Sequence, residues 1–291
     1  MVIVIVGPTG SGKTSLAKTI ALATQAPIMN ADAYQVYQGM NIGTNKDLSL
    51  IANFKHHLFD VIQPSASFSV KEYQHLAREV IDAYPAQQPI IMVGGTGLYI
   101  KATLYDFQFL EHAPLLDMDL SAEEAYAQLL KVDPASAQKI HPQNSRRVLR
   151  ALAIFNATGQ TKSSIEAQQD KKLLYEAVVI GLDRPRDELY RRIDARVFAM
   201  VNQGLIEEVR TLKNLYGNAT LAFQAIGYKE VLQHLEGRLT KAEMIAAIQL
   251  ATRRYAKRQW TYFKHQLPTR WFADEDSAMV WLKKNYGHVF A

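Results

Sequence analysis

The feature that most constrains this chain lies within its first 24 residues. A run of β-branched side chains, Val2–Val6, leads directly into Gly7-Pro8-Thr9-Gly10-Ser11-Gly12-Lys13-Thr14, and a segment of helical period follows over 14–24. The run satisfies G-x-x-x-x-G-K-[ST] at every defined position, in the strand–loop–helix order that a phosphate loop needs. Its glycines let successive backbone N–H groups converge on phosphate oxygens, and the helix N-terminus adds its positive dipole end. Lys13 supplies a mobile cation, and the Thr14 hydroxyl suits Mg²⁺. Gly7, Thr9, Gly10, Ser11, Gly12, Lys13 and Thr14 are therefore the candidate polyphosphate ligands. The motif says polyphosphate without saying which one.

Short apolar runs at 27–30 and 89–93, and a later one at Ala177–Leu182, read as further buried strands. The stretch 69–84 reads as a helix that opens with Ser69 as cap and Glu72 three residues later. This alternation predicts an α/β fold, an open P-loop-type parallel sheet flanked by helices. From 108 to 172 the strand signal vanishes, and 123–131, 134–140 and Ser145–Thr158 carry helical period. A small, mainly helical inserted domain over 108–172 is expected, dividing a core made of 1–107 and 173–291. After Asp183 the chain reads as mostly helical, most clearly over Arg186–Asn202, Leu205–Tyr216 and 241–264.

Composition removes several classes of chemistry. Without cysteine there is no disulfide framework, thiolate zinc site or cysteine nucleophile. The eight histidines show no H-E-x-x-H spacing, so a metal site built from protein ligands alone is not expected. The N-terminus lacks the basic region of a signal peptide, and no apolar run reaches the ~20 residues needed to cross a bilayer. A cytoplasmic protein with no membrane association and no obligate protein partner is expected. The net charge, 33 − 28 = +5, is mild and matters through where it is placed.

Asp32 follows the second strand by two residues. In a parallel sheet the carboxyl ends of neighbouring strands share one edge, so Asp32 should face Lys13 and Thr14 across a cleft. There it can serve as a general base, a metal ligand or a helix-capping turn residue. Thr96, in the glycine-rich turn Gly94-Gly95-Thr96-Gly97 after the third strand, is aimed at the same edge. That strand ends without the acid a hydrolysing P-loop enzyme carries, which leaves room for a diphosphate that departs as a leaving group.

Basic residues cluster in two places without acids. The stretch 250–272 holds Arg253, Arg254, Lys257, Arg258, Lys264 and Arg270, interleaved with Tyr255, Trp260, Tyr262, Phe263, Trp271 and Phe272. Like charges at i,i+4 repel on a helix, so stability alone does not account for the pattern. Phosphate contacts combined with aromatic stacking faces suit an RNA loop, and Arg253 and Lys257 are candidate contacts. The second cluster, Arg146-Arg147-Val148-Leu149-Arg150, has its basic residues on one helical face.

Together these residues resemble the tRNA dimethylallyltransferase family. The matching blocks are the phosphate loop, Asp32-x-x-x-x-Tyr37-x-Gly39-Met40-Asn41-Ile42-Gly43-Thr44, and Val93-Gly94-Gly95-Thr96-Gly97-Leu98-Tyr99. Ile140-His141-Pro142 leads into Arg146-Arg147-Val148-Leu149-Arg150-Ala151-Leu152, followed by Leu189-Tyr190-Arg191-Arg192-Ile193. Gln224-Ala225-Ile226-Gly227-Tyr228-Lys229-Glu230 and 251–259 complete the order. The resemblance implies transfer of a dimethylallyl group from dimethylallyl diphosphate to the exocyclic amine of the adenosine 3′-adjacent to the anticodon, with Mg²⁺ assisting. It implies that 9–14 and Arg192 hold the diphosphate, that Asp32 is the general base, and that Lys13 and Thr96 assist at the leaving group. It also implies tRNA contacts at Asp32, Ala33, Tyr34, Gln35, Thr96, Arg146, Arg147, Arg150, Gln224, Gly227, Tyr228 and Lys229. The chain departs from the family at Ala33, where serine is usual. It departs again in a short 110–130 segment lacking an arginine that the family often carries there. A P-loop small-molecule or nucleotide kinase is the alternative reading, and it predicts ATP use without RNA.

Overall fold

The computed structural model describes residues 1–107, 109, 120–168, 172–217 and 220–290. Its contacts divide the chain into two compact units, Met1–Leu104 with Leu174–Ala291, and Tyr105–Leu173. The expected boundaries at 107/108 and 172/173 thus fall at 104/105 and 173/174. Residues 110–119 of the short segment noted above lie outside the described residues.

The first unit is built on a six-stranded parallel sheet. Its strands in chain order are β1 (Val2–Val6), β2 (Ile28–Asn30), β3 (His56–His57), β4 (Ile90–Val93), β5 (Ala177–Leu182) and β6 (Arg270–Phe272). Across the sheet the order is β3-β2-β4-β1-β5-β6. β1 lies between β4 and β5, with Ile5 in register with Val93 and Ile180, and all five of its residues are buried. Strands covered on both faces read as continuous aliphatic runs, and this is why β1, β4 and β5 were visible in the sequence. β3 and β6 were not expected. They have two and three residues, too few for a period to register.

The flanking helices of this unit are α1 (Lys13–Thr24), α2 (Leu48–Asn53), α3 (Val70–Asp82) and α4 (Gly97–Leu104) in the first half. The described helices of the inserted unit are α5 (Ala122–Val132), α6 (Pro134–Ala137), α7 (Ser145–Thr158) and α8 (Lys162–Gln168). The second half of the sheet unit adds α9 (Arg186–Asn202), α10 (Leu205–Tyr216), α11 (Tyr228–Leu235), α12 (Lys241–Gln266) and α13 (Glu275–Asn285). Ser69 and Glu72 form the expected capping box of α3, and Thr240 with Glu243 caps α12 in the same way.

Two apolar clusters frame the working edge of the sheet unit. One packs Ile3, Ile5, Leu16, Ile20, Ile28, Ile91 and Ile180 around α1 and the sheet, joined by Leu282 of α13. The other gathers Val36, Met40, Val197, Val209, Phe223, Tyr228, Met244 and Ile248, so the loop after β2 is held against α9 to α12. The inserted unit has its own core of Leu129, Ile140, Val148, Ala151 and Leu152.

Candidate active site

The carboxyl end of β1 delivers the phosphate loop. Gly10 (φ 89°) and Gly12 (φ 108°) take left-handed backbone that a side chain would strain, and Gly12 is the N-cap of α1. The Lys13 Nζ donates to the carbonyls of Gly7 and Pro8, both at 2.9 Å. Burial pulls the Lys13 pKa down to about 7, Arg196 pulls the same way, and Asp32 opposes them. Arg184 braces the loop from outside by donating Nε to the Ser11 carbonyl at 2.8 Å.

Asp32 stands two residues past β2. Its Oδ1 accepts the Tyr34 N–H at 2.9 Å, and its Oδ2 lies 3.5 Å from where a Cβ on Gly95 would sit. Burial raises the Asp32 pKa, against the pull of the Tyr34 N–H and of Lys13. A carboxylate that is short of water and raised in pKa, yet faces a lysine, is a stronger proton acceptor than one in solvent.

These groups share one cavity of about 820 Å³. Thr9, Gly10, Gly12, Lys13 and Thr14 line it, as do Asp32, Tyr34, Gln35, Gly95 and Arg196. Gln224, Gly227 and Lys229 line it too, together with Tyr255, Arg258 and Gln259 from α12. Phosphate ligands, a carboxylate and the segment expected to meet nucleic acid therefore open onto a single space. Its volume suits a small diphosphate and a base together.

Several expected site residues are placed differently. Gly7 and Ser11 lie off the cavity wall, and the Ser11 side chain is fully buried. Thr96 is also off that wall. Its Oγ1 accepts the Ala33 N–H at 2.9 Å and its own N–H donates to the Ala31 carbonyl at 3.0 Å, so it braces the Asp32 turn. Tyr228 is fully buried, with its hydroxyl donating to Glu208 at 2.6 Å, so its side chain belongs to the core and offers no face to RNA. Arg192 is exposed and paired with Glu188 at 2.9 Å, whereas Arg196, one turn further along α9, donates to the Thr9 Oγ1 at 3.1 Å. Arg253 is tied through two nitrogens to Asp194, while Lys257 is exposed on the same helix. Arg146 and Arg147 are exposed at the start of α7 in the inserted unit, and Arg150 is half-buried one turn on.

Three residues of this site escaped the sequence reading. Arg196 stands at i+4 from Arg192, and the buried Leu189, Ile193 and Val197 show which face of α9 turns inward. Gln259 was hidden inside a basic helix. It is 4% exposed, its Oε1 accepts the Thr9 N–H at 2.8 Å and its Nε2 donates to the Gly95 carbonyl at 3.0 Å. It thereby joins the phosphate loop to the turn after β4, and a Cβ on Gly95 would meet Nε2 at 2.1 Å. Tyr255, counted as an aromatic of the basic stretch, has its pKa raised by burial and by Asp32.

Among the described residues no three or more His, Cys, Asp or Glu converge as a metal site. Thr14, a hard oxygen donor on the cavity wall beside Lys13, is the residue that would suit Mg²⁺ arriving with a diphosphate.

The sequence profile of the IPP transferase family matches residues 35–266. The chain belongs to the IPP transferase family. It is similar to the tRNA dimethylallyltransferase of Anoxybacillus flavithermus, with 43% identity over 286 residues covering 96% of this chain and 92% of that one. It also resembles the crystal structure of the tRNA isopentenylpyrophosphate transferase of Bacillus halodurans. The TM-score is 0.75 and the identity 35%, covering 99% of this chain and 96% of that one. A eukaryotic dimethylallyltransferase captured acting on tRNA superposes with a TM-score of 0.81 at 28% identity, covering 98% of this chain and 76% of that one.

Proposed function

We propose that this IPP transferase moves the dimethylallyl group of dimethylallyl diphosphate onto the exocyclic amine of the adenosine 3′-adjacent to the anticodon in tRNA, releasing diphosphate. The observation that carries this reading is the single cavity on which the phosphate loop and Asp32 both open. The relatives named for this activity support it, and the kinase reading has no comparable support.

An adenine amine is a weak nucleophile, and its proton must leave as the new bond forms. The amine nitrogen attacks C1 of the allyl group, the C1–O bond breaks, and the electron pair departs on diphosphate. Asp32, raised in pKa by burial, receives the amine proton. The N–H groups at the start of α1, Lys13 and Arg196 bind the oxygens on which charge develops. Mg²⁺ held at Thr14 through the diphosphate would supply further charge neutralisation. The target base has to leave its stack to reach Asp32, and Gln224, Lys229 and Arg258 are the cavity-wall residues suited to the flanking tRNA. The exposed arginines of α7 and Lys257 add phosphate contacts to the anticodon arm. Work on tRNA fits the cytoplasm, and among the described residues no helix is long and apolar enough to cross a membrane.

Incubation with dimethylallyl diphosphate, Mg²⁺ and unmodified tRNA should yield a prenylated adenosine on mass spectrometry of the digested nucleosides. ATP turnover with no such nucleoside would instead point to a kinase.

A further inference from the structure

The turn that carries Asp32 has little of its own to hold it. Ala33 contributes only a methyl group, and the Asp32 side chain accepts the Tyr34 N–H at 2.9 Å, with the Gln35 N–H as a lesser partner. Restraint comes from Asn30, which is fully buried at the last position of β2. Its Oδ1 accepts the Asp32 N–H at 2.9 Å, and its Nδ2 donates to the Asp32 carbonyl at 3.1 Å and to the Leu58 carbonyl at 2.9 Å. One side-chain amide thus grips both peptide groups that flank the Asp32 Cα.

Asn30 is itself held. Its carbonyl accepts the Tyr73 hydroxyl at 2.6 Å, and the buried Tyr73 ring stacks on Tyr99 at 3.8 Å and 14°. Tyr99 donates its N–H to the carbonyl of Thr96, whose hydroxyl takes the Ala33 N–H from the other side of the turn. The sheet does not require an amide here, because the residue in register across β4 is Val93. Asparagine is disfavoured in strands, and a buried amide is costly unless its hydrogen bonds are met. What Asn30 holds accounts for its presence.

We infer that Asn30 is a positioning residue for Asp32, fixing the carboxylate where it takes the proton of the acceptor amine. This rests on the reading of Asp32 as the base. Loosening the turn would move the carboxylate and release its bond from the Tyr34 N–H. That bond lowers the Asp32 pKa, so its loss moves the acid limb of the rate profile to higher pH. The groups facing Asp32 are Lys13 from α1, Tyr34 from the turn, Tyr73 from α3, Tyr99 from α4 and Tyr255 from α12. A substitution at position 30 removes none of them, so a moved limb reports the turn.

The test is a single-turnover pH–rate profile with saturating dimethylallyl diphosphate, Mg²⁺ and tRNA. It compares the wild type with Asn30→Ala, Asn30→Ser, Tyr73→Phe and Asp32→Asn. Asn30→Ala should slow the chemical step about 10- to 100-fold and shift the acid limb upward, with both substrate affinities within about twofold. Asn30→Ser, which keeps one polar partner, should fall between, and it carries the same readouts if Asn30→Ala does not fold. Tyr73→Phe leaves the amide's grip intact and should lower the thermal midpoint without moving the limb. A wild-type rate and limb in the folded position-30 variants overturns the assignment. A rate loss with an unmoved limb, matched by Tyr73→Phe, does so as well, since it marks structural support alone. If Asp32→Asn keeps the wild-type rate, the base reading itself fails, whatever the Asn30 variants show.

Discussion

At the scale of single residues the site is a set of charged groups whose pKa values burial shifts, Lys13 and Arg196 downward and Asp32 upward. Lys13 is the clearest case, with its pKa brought down to about 7 by burial and by Arg196. A bound diphosphate opposes both effects by supplying negative charge, so the bound-state pKa lies above the free value. Above pH 7, binding must therefore take up a proton, and affinity must weaken as the pH rises. Calorimetry in buffers of different ionisation enthalpy should show uptake approaching about one proton near pH 9. Lys13→Arg, whose guanidinium stays charged throughout, should abolish that excess. Equal heats in all buffers would mean that Lys13 is already fully charged. Lys13 was legible from the motif, whereas Arg196 and Gln259 were not, because a motif fixes spacing along the chain and these two arrive from distant helices. Tyr228 misled in the opposite direction: its block matched, and burial against Glu208 removed its side chain from the surface.

At the scale of elements, helix ends decide much of what the sequence shows and hides. In the inserted unit, Asp133 is 2% exposed and caps α6 by accepting the Ser136 N–H at 3.0 Å. Its other oxygen accepts the Ser163 N–H at 3.0 Å and so ties α8 to the same point. Burial alone would raise its pKa. The bonds from Ser136 and Ser163 outweigh that and hold it at about 2. A carboxyl depressed in the folded state contributes stability that is fully present above its unfolded pKa, near 4, and is lost as the pH falls through about 2. Asp133→Ala should therefore cost about 2 kcal/mol at neutral pH, with the difference from wild type shrinking in acid. Chemical denaturation at pH 7 and pH 3 checks this. The capping boxes of α3 and α12 were readable as local residue pairs, as was the glycine stop of α7 at Gly159. β3 and β6 were not, because edge strands of two and three residues exist through pairing with a neighbour and leave no period of their own.

At the scale of the whole molecule, the basic surface separates into residues committed to the fold and residues open to a polyanion. Arg253 is held by Asp194, while Lys257 is exposed one turn on. The salt dependence of tRNA binding should register the difference. Lys257→Ala should make the slope of log K against log salt shallower by about 0.7 to 0.9, and Arg253→Ala should leave it nearly unchanged. Equal changes in both would mean that the Arg253–Asp194 pair opens on binding. The central claim is that one cavity joins a departing diphosphate to a nucleophile that Asp32 deprotonates. Single-turnover prenyl transfer by Asp32→Asn, with tRNA and dimethylallyl diphosphate both bound, tests it most directly. The account predicts a loss of about 10²- to 10⁴-fold in rate with tRNA affinity retained; transfer at the wild-type rate would contradict it.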